Sequence, residues 1–283
     1  MRIRFSDLKA HAYGIGLIIL LNLCWSSAAE ASCGIESCPA YRAVVKQNQI
    51  LHVNLSTEFV DFALYGTTGQ YVQLVPRLEF RGLRNFIFGA QVPVTRLFWN
   101  EEVQTGLSNP VVFGEWNWQI DSDVLFLVGI QLELPFGDSE LGIADTHVEV
   151  LPYLGFVFEI ESYFTQIRLG VRQSLDDLMM KDSDTAAHNH STPIFVNPHT
   201  AQEIIYRVNL GRRYLDARLS SSLYLDVISE VGQELESVPV IRTGLDTQWE
   251  LAENWSLRLR VDRGMSSNRR TETRSDFGLQ IRW

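Results

Sequence analysis

Beyond its first few dozen residues this chain has no long apolar run, it has no basic block anywhere, and its 283 residues include only 3 cysteines. The first absence leaves no segment for a membrane-crossing helix, which needs about 20 consecutive apolar residues. The second, with a formal net charge of -10 and a pI near 5.1, removes nucleic acid and anionic surfaces as obvious partners. The shortage of cysteine has to be read against compartment. Arg2, Arg4 and Lys9 precede an apolar stretch from Tyr13 to Trp25, broken by Asn22 and followed by small residues up to Ala31. That is the layout of a secretory signal peptide, with cleavage expected after Ala31. Cys24 leaves with it. Residues 32–48 then form a short exported segment in which Cys33 and Cys38 are expected to form a disulfide, since a close pair oxidises outside the cytoplasm; a soft-metal site is the alternative.

What the remainder has is alternation. In Val124 to Leu134 every second residue (Val124, Phe126, Val128, Ile130, Leu132, Leu134) is apolar. The other face runs from Leu125 and Leu127 through Gly129 to Gln131 and Glu133, from apolar to polar, which a strand buried on both sides would not do. A charge should therefore be better tolerated at Gly129 or Gln131 than at Val128. Comparable segments run from Ile50 to Phe59, Val72 to Phe80, Phe86 to Val94, Val112 to Ile120, Val148 to Ile160 and Tyr163 to Val171. Further ones follow at Ile204 to Leu210, Leu215 to Val227, Ile241 to Leu251, Trp255 to Val261 and Phe277 to Trp283.

Short turns at Gly82 to Arg84, Asp121 to Asp123, Glu161 to Ser162, Gly211 to Arg213 and Ala252 to Asn254 alternate with longer connections. The longer ones are Phe98 to Asn109, Gly137 to Thr146, Leu175 to Ala201, Ser229 to Ser237 and Gly264 to Thr273. An even strand count with short turns at one end and long loops at the other predicts an all-β fold: an antiparallel transmembrane β-barrel of the bacterial outer membrane with about twelve strands, over residues 49–283. Outer-membrane lipid is then the surrounding partner. Trp118, Tyr163, Trp249, Trp255 and Trp283 share the apolar face beside the short turns, as an interfacial girdle requires. Phe277, Leu279, Ile281 and Trp283 alternate up to an aromatic carboxy terminus, similar to the signal that the barrel-assembly machinery recognises. Pro76, Pro93 and Pro152 each remove a ladder donor within a candidate strand, and bulges are expected there.

The polar face is charged, and almost every cation on it is arginine, whose fork suits hydrogen bonding across a narrow interior. Glu115, Glu133, Glu149 and Glu159 precede Arg168, Arg172, Arg207 and Arg218 along the chain, with Arg258 and Arg260 further on. An acidic wall beside a basic wall would set up a transverse field that selects polar solutes; equally, the two walls could neutralise each other and close the barrel.

Thr105-Gly106-Leu107-Ser108-Asn109-Pro110 and Leu132-Glu133-Leu134-Pro135-Phe136-Gly137-Asp138 resemble the "GLGD" and "LPTGD" landmarks of the outer-membrane channel family of the phenol-degradation meta pathway, departing at Ser108, Asn109 and Phe136. The resemblance implies a channel for small, hydrophobic or aromatic solutes and no cofactor. Three rivals stand beside it. An outer-membrane lipid hydrolase would need His and Ser together on the apolar face, a pattern His52 and His147 lack. A metal-related transporter would use His188, His190 and His199 in the loop from Leu175 to Ala201. A purely structural barrel would have a shut lumen.

Overall fold

The computed structural model describes residues 51–64, 67–83, 85–175, 195–196, 202–216, 218–231, 239–266 and 272–283. The expected signal peptide, Cys33 and Cys38, and the loop histidines His188, His190 and His199 lie outside the described residues.

Alternation of apolar and polar residues gives strands throughout: β1 Leu51–Leu64, β2 Thr67–Leu83, β3 Phe86–Gln91, β4 Val94–Trp99, β5 Glu102–Leu107, β6 Val111–Asp121 and β7 Val124–Glu133. After a 3-10 turn at Ser139–Leu141 come β8 Glu149–Ile160, β9 Tyr163–Ser174, β10 Gln202–Tyr214, β11 Leu219–Glu230, β12 Val240–Ala252, β13 Trp255–Gly264 and β14 Thr273–Arg282. Each pairs antiparallel with its neighbours, and β1 pairs with both β2 and β14, so the sheet closes on itself. Two wall strands are each interrupted. β3 and β4 continue one another along β2, while β6 pairs with β3 and β5 with β4. Fourteen segments thus build a closed barrel of 12 strands.

The breaks follow from proline. Val92 and Pro93 separate β3 from β4 without changing the register against β2. Opposite them Gln91 pairs with Val111 and Val94 with Leu107, so Ser108, Asn109 and Pro110 face two residues with three, and the bulge falls there. Pro152 makes no bulge. The β8 to β9 ladder pauses between Val150 and Tyr153 and resumes in the same register. Pro76 sits where β2 changes partner from β4 to β3, so its missing donor meets the gap at Val92, whose N–H bonds the Pro76 carbonyl at 3.2 Å.

The connection expected from Phe98 to Asn109 is instead a hairpin. Asn100 and Glu101 have φ of 49° and 65°, the pair of left-handed residues a tight two-residue hairpin turn needs, and β4 and β5 pair in register from Trp99 and Glu102 onward.

Outward residues form an apolar band that includes Leu55, Phe59, Leu78, Val128, Ile130, Leu154, Leu223, Leu245, Leu259 and Phe277, all exposed. Exposure of so much large apolar surface is tenable only against hydrocarbon. Trp118, Tyr163, Trp249, Trp255 and Trp283 are likewise exposed on the outward face at the short-turn end. The seam between chain ends is closed by reciprocal backbone bonds, Leu51 N–H to the Trp283 carbonyl at 3.1 Å and Trp283 N–H to the Leu51 carbonyl at 2.9 Å.

Candidate functional site

The inward residues of successive strands meet in ion pairs, and the described residues include arginine but no lysine. Glu115 on β6 reaches Arg168 on β9 at 3.2 Å and accepts a hydrogen bond from the Tyr153 hydroxyl at 2.9 Å. This reach spans two intervening strands and depends on Gly129: a Cβ there would lie 2.3 Å from the Tyr153 ring, so the hydroxyl end of the ring occupies the space above the glycine. Arg168 in turn stacks 5.3 Å from the Tyr153 ring centroid. Arg172 lies between Glu149 at 3.3 Å and Glu203 at 3.4 Å, and Glu159 pairs with Arg213 at 2.8 Å. The acidic and basic walls therefore zip together.

On the adjoining strands β10 and β11 Asp226 is the hub. Arg207 grips it with a forked pair of bonds at 2.5 Å, and Arg242 and Arg260 approach it at 3.6 and 3.8 Å. Arg260 also donates to the Tyr224 hydroxyl at 2.6 Å, Asp262 pairs with Arg274 at 3.0 Å, and Arg258 pairs with Asp246 at 2.5 Å. Such pairs tolerate burial only because each charge has several partners.

The structure places Glu115, Glu149, Glu159, Arg168, Arg172, Arg207, Arg258 and Arg260 each in an inward ion pair, in separate clusters along the wall. Glu133 lies on the same face at the wall of the cavity described below. Arg218 does not join them. Strand β11 begins at Leu219, so Arg218 falls in the preceding turn and is exposed. Sequence reasoning overlooked Glu203, Arg213, Asp226, Asp262 and Arg274. Asp226 has the same parity as Tyr224 and could have been found by extending the alternation; Glu203 and Arg274 lie in strand ends beyond the candidate segments.

At the long-loop end the connection from β7 to β8 folds into the barrel mouth. Ile143, with 1% exposure, packs with Val60, Phe62, Tyr71, Leu97, Phe195 and Val196. Ala144 and Asp145 are also buried. The two landmark motifs fasten this loop. The Leu107 N–H donates to Asp138 Oδ2 at 2.6 Å, the Asp138 N–H to the Leu107 carbonyl at 2.8 Å, and the Gly137 N–H to Asn109 Oδ1 at 3.1 Å. Asn109 Nδ2 completes the clasp by donating to the Asp145 carbonyl at 3.0 Å. Gly106 and Gly137 permit the approach: a Cβ at Gly106 would lie 2.5 Å from Asp138 Oδ2, and one at Gly137 2.4 Å from Ala144 Cβ. Between loop and wall remains a cavity of about 40 Å³, lined among others by Asn54, Glu58, Gln91, Glu133, Asp145 and Asp276.

No family model matches the chain, and no curated protein matches it. Solved structures do. An outer membrane channel from Pseudomonas putida superposes with a TM-score of 0.61 at 11% identity, covering 90% of this chain and 100% of that one. The KdgM porin superposes at 0.51 with 14% identity, covering 82% and 99%. The translocator domain of the autotransporter NalP from Neisseria meningitidis does so at 0.50 with 10% identity, covering 98% of each. The fold is that of an outer-membrane β-barrel. At these identities the likeness speaks for architecture, and the chemistry has to come from the lumen.

Proposed function

We propose that this chain is an outer-membrane channel for the passive passage of small solutes, restricted by the loop between β7 and β8. The observation that carries the reading is the polar lumen with a cavity held between the clasped loop and the charged wall. A barrel built only for support would gain more from an apolar filling, because buried ion pairs are stabilising only with full compensation. The crystallised likenesses include an outer membrane channel and a porin, and KdgM has also been solved in complex with oligogalacturonate; both support a transport role over an enzymatic one. The charged lining favours hydrophilic solutes over the hydrophobic or aromatic ones that the family resemblance implies. A lipid hydrolase has little support: of the described histidines, His52 is a buried lumen residue facing Glu79 and Arg282, and His147 follows Asp145 in the inward loop.

Planar-bilayer recording of the refolded protein tests the reading. The parent should show small unitary currents, and Asn109→Ala, which cuts the clasp at both Gly137 and Asp145, should raise them severalfold. Absence of current in both proteins would remove the channel reading and favour a structural barrel.

A further inference from the structure

We propose that the outer wall of the barrel carries a phospholipid-binding site in which Arg212 holds the headgroup phosphate. The site is on the lipid-facing surface and does not rest on the channel reading. In β10 the alternation that turns Arg207 and Asn209 inward turns Leu210, Arg212 and Tyr214 outward, and all three are exposed. A charge on that face is costly against hydrocarbon unless something compensates it. The next residue, Arg213, points into the lumen and has Glu159 at 2.8 Å. Arg212 has no such partner. Among the described residues its guanidinium forms neither an ion pair nor a hydrogen bond, and the exposed carboxylates of the flanking turns, Glu161 and Asp216, do not reach it. Two aromatic faces hold it instead, with the Tyr163 ring centroid at 4.9 Å and that of Tyr214 at 5.2 Å. Such contacts fix a guanidinium while leaving its N–H fork without an oxygen acceptor.

The ladder supplies the rest of the site. Arg212 stands opposite Ser221, and Ser221 opposite Thr247. The two hydroxyls bond each other at 3.1 Å, which uses one of their two protons and leaves the other for a ligand oxygen. Two residues toward the bilayer centre the same three strands present Leu210, Leu223 and Leu245; two residues toward the short turns they present Tyr214, Leu219 and Trp249. A polar row thus lies between a leucine row and an aromatic-rich one. That is the order in which a membrane lipid presents its acyl chains, its glycerol phosphate and its outer headgroup. The guanidinium fork matches a phosphate oxygen pair, and the hydroxyls, about 4.8 Å away per strand, meet the glycerol ester oxygens of the same molecule. Short turns face the periplasm in barrels of this kind, so the ligand is a glycerophospholipid of that leaflet, and the uncompensated positive charge favours an anionic one.

Native mass spectrometry of the refolded full barrel, released from detergent containing dioleoylphosphatidylglycerol or dioleoylglycerol, tests the site. Phosphatidylglycerol should stay bound to the parent barrel, and dioleoylglycerol, with the same chains and no phosphate, should not. Arg212→Gln should weaken phosphatidylglycerol binding about tenfold, the effect of losing hydrogen bonds to a charged group. Arg218→Gln, in the neighbouring exposed turn, should leave it unchanged. Heat-modifiable migration shows whether each variant has closed; if Arg212→Gln has not, Ser221→Ala decides, with binding expected to weaken about threefold. Equal binding of the two lipids, equal phosphatidylglycerol binding by the parent and the closed variant, or an equal loss in Arg218→Gln would overturn the proposal. So would displacement of the lipid by inorganic phosphate at concentrations where chloride of equal ionic strength has no effect, which would make this a site for a free anion.

Discussion

Asp226 has 1% of its surface exposed and lies among three guanidiniums. Asp226→Ala would leave Arg207, Arg242 and Arg260 without their shared anion, and breaking a buried pair from one side costs about 3–5 kcal/mol. Urea unfolding of the variant in lipid vesicles should register that loss, whereas Arg218→Ala, in an exposed turn, should stay within about 0.5 kcal/mol of the parent. Gly129 carries the main lesson at this scale. Its parity correctly places it in the lumen, but parity cannot say that the Tyr153 ring occupies the space above it. The expected tolerance of a charge there is withdrawn, and Gly129→Ala alone should destabilise by about 1–3 kcal/mol through overpacking. Gln131 and Val128 keep their assigned faces.

Strands were legible because a sheet with hydrocarbon on one side and ion pairs on the other must alternate. The element that escaped was the hairpin of β4 and β5. Its turn places Glu101, a residue with no preference for positive φ, at a position where Gly is the usual signal, and the segment read as loop. The terminal strand β14 makes a prediction of its own. Trp283 is exposed at the short-turn end and closes the seam against Leu51. Its deletion should reduce the fraction of heat-modifiable barrel in isolated outer membranes, and an undiminished fraction would show that the preceding residues suffice as a signal.

For the whole molecule the outward band and the lumen should respond in opposite ways to charge. Val128→Arg on the apolar face should cost roughly 2–4 kcal/mol if it lies at the bilayer midplane, measured by unfolding from vesicles of defined thickness. In the lumen, the acidic and basic walls were visible as blocks in the sequence, but their pairing was not. Curvature of the closed sheet carries Glu115 past two strands to Arg168, a relation that a linear order of strands does not contain. Because the walls are zipped, removing one side exposes the other: neutralising Glu133 and Glu149 together should move the reversal potential in a salt gradient toward anion preference, since Arg172 loses the charge of Glu149 beside it. Unchanged selectivity would mean that the loops control the potential along the path.

The seam between β1 and β14 also has a kinetic meaning. Asp61 and Thr273, bonded side chain to side chain across it, are 212 residues apart in the chain, while nearly every other strand pair joins neighbours in sequence. Bringing such distant segments together costs about 5 kcal/mol of chain entropy beyond a constant, and that loss has to be met before the seam's bonds form. Hairpins should therefore accumulate early, with ring closure as the slow step. Tethering β1 to β14 through a short linker, with new ends opened in an outer loop, should speed refolding far more than it raises stability.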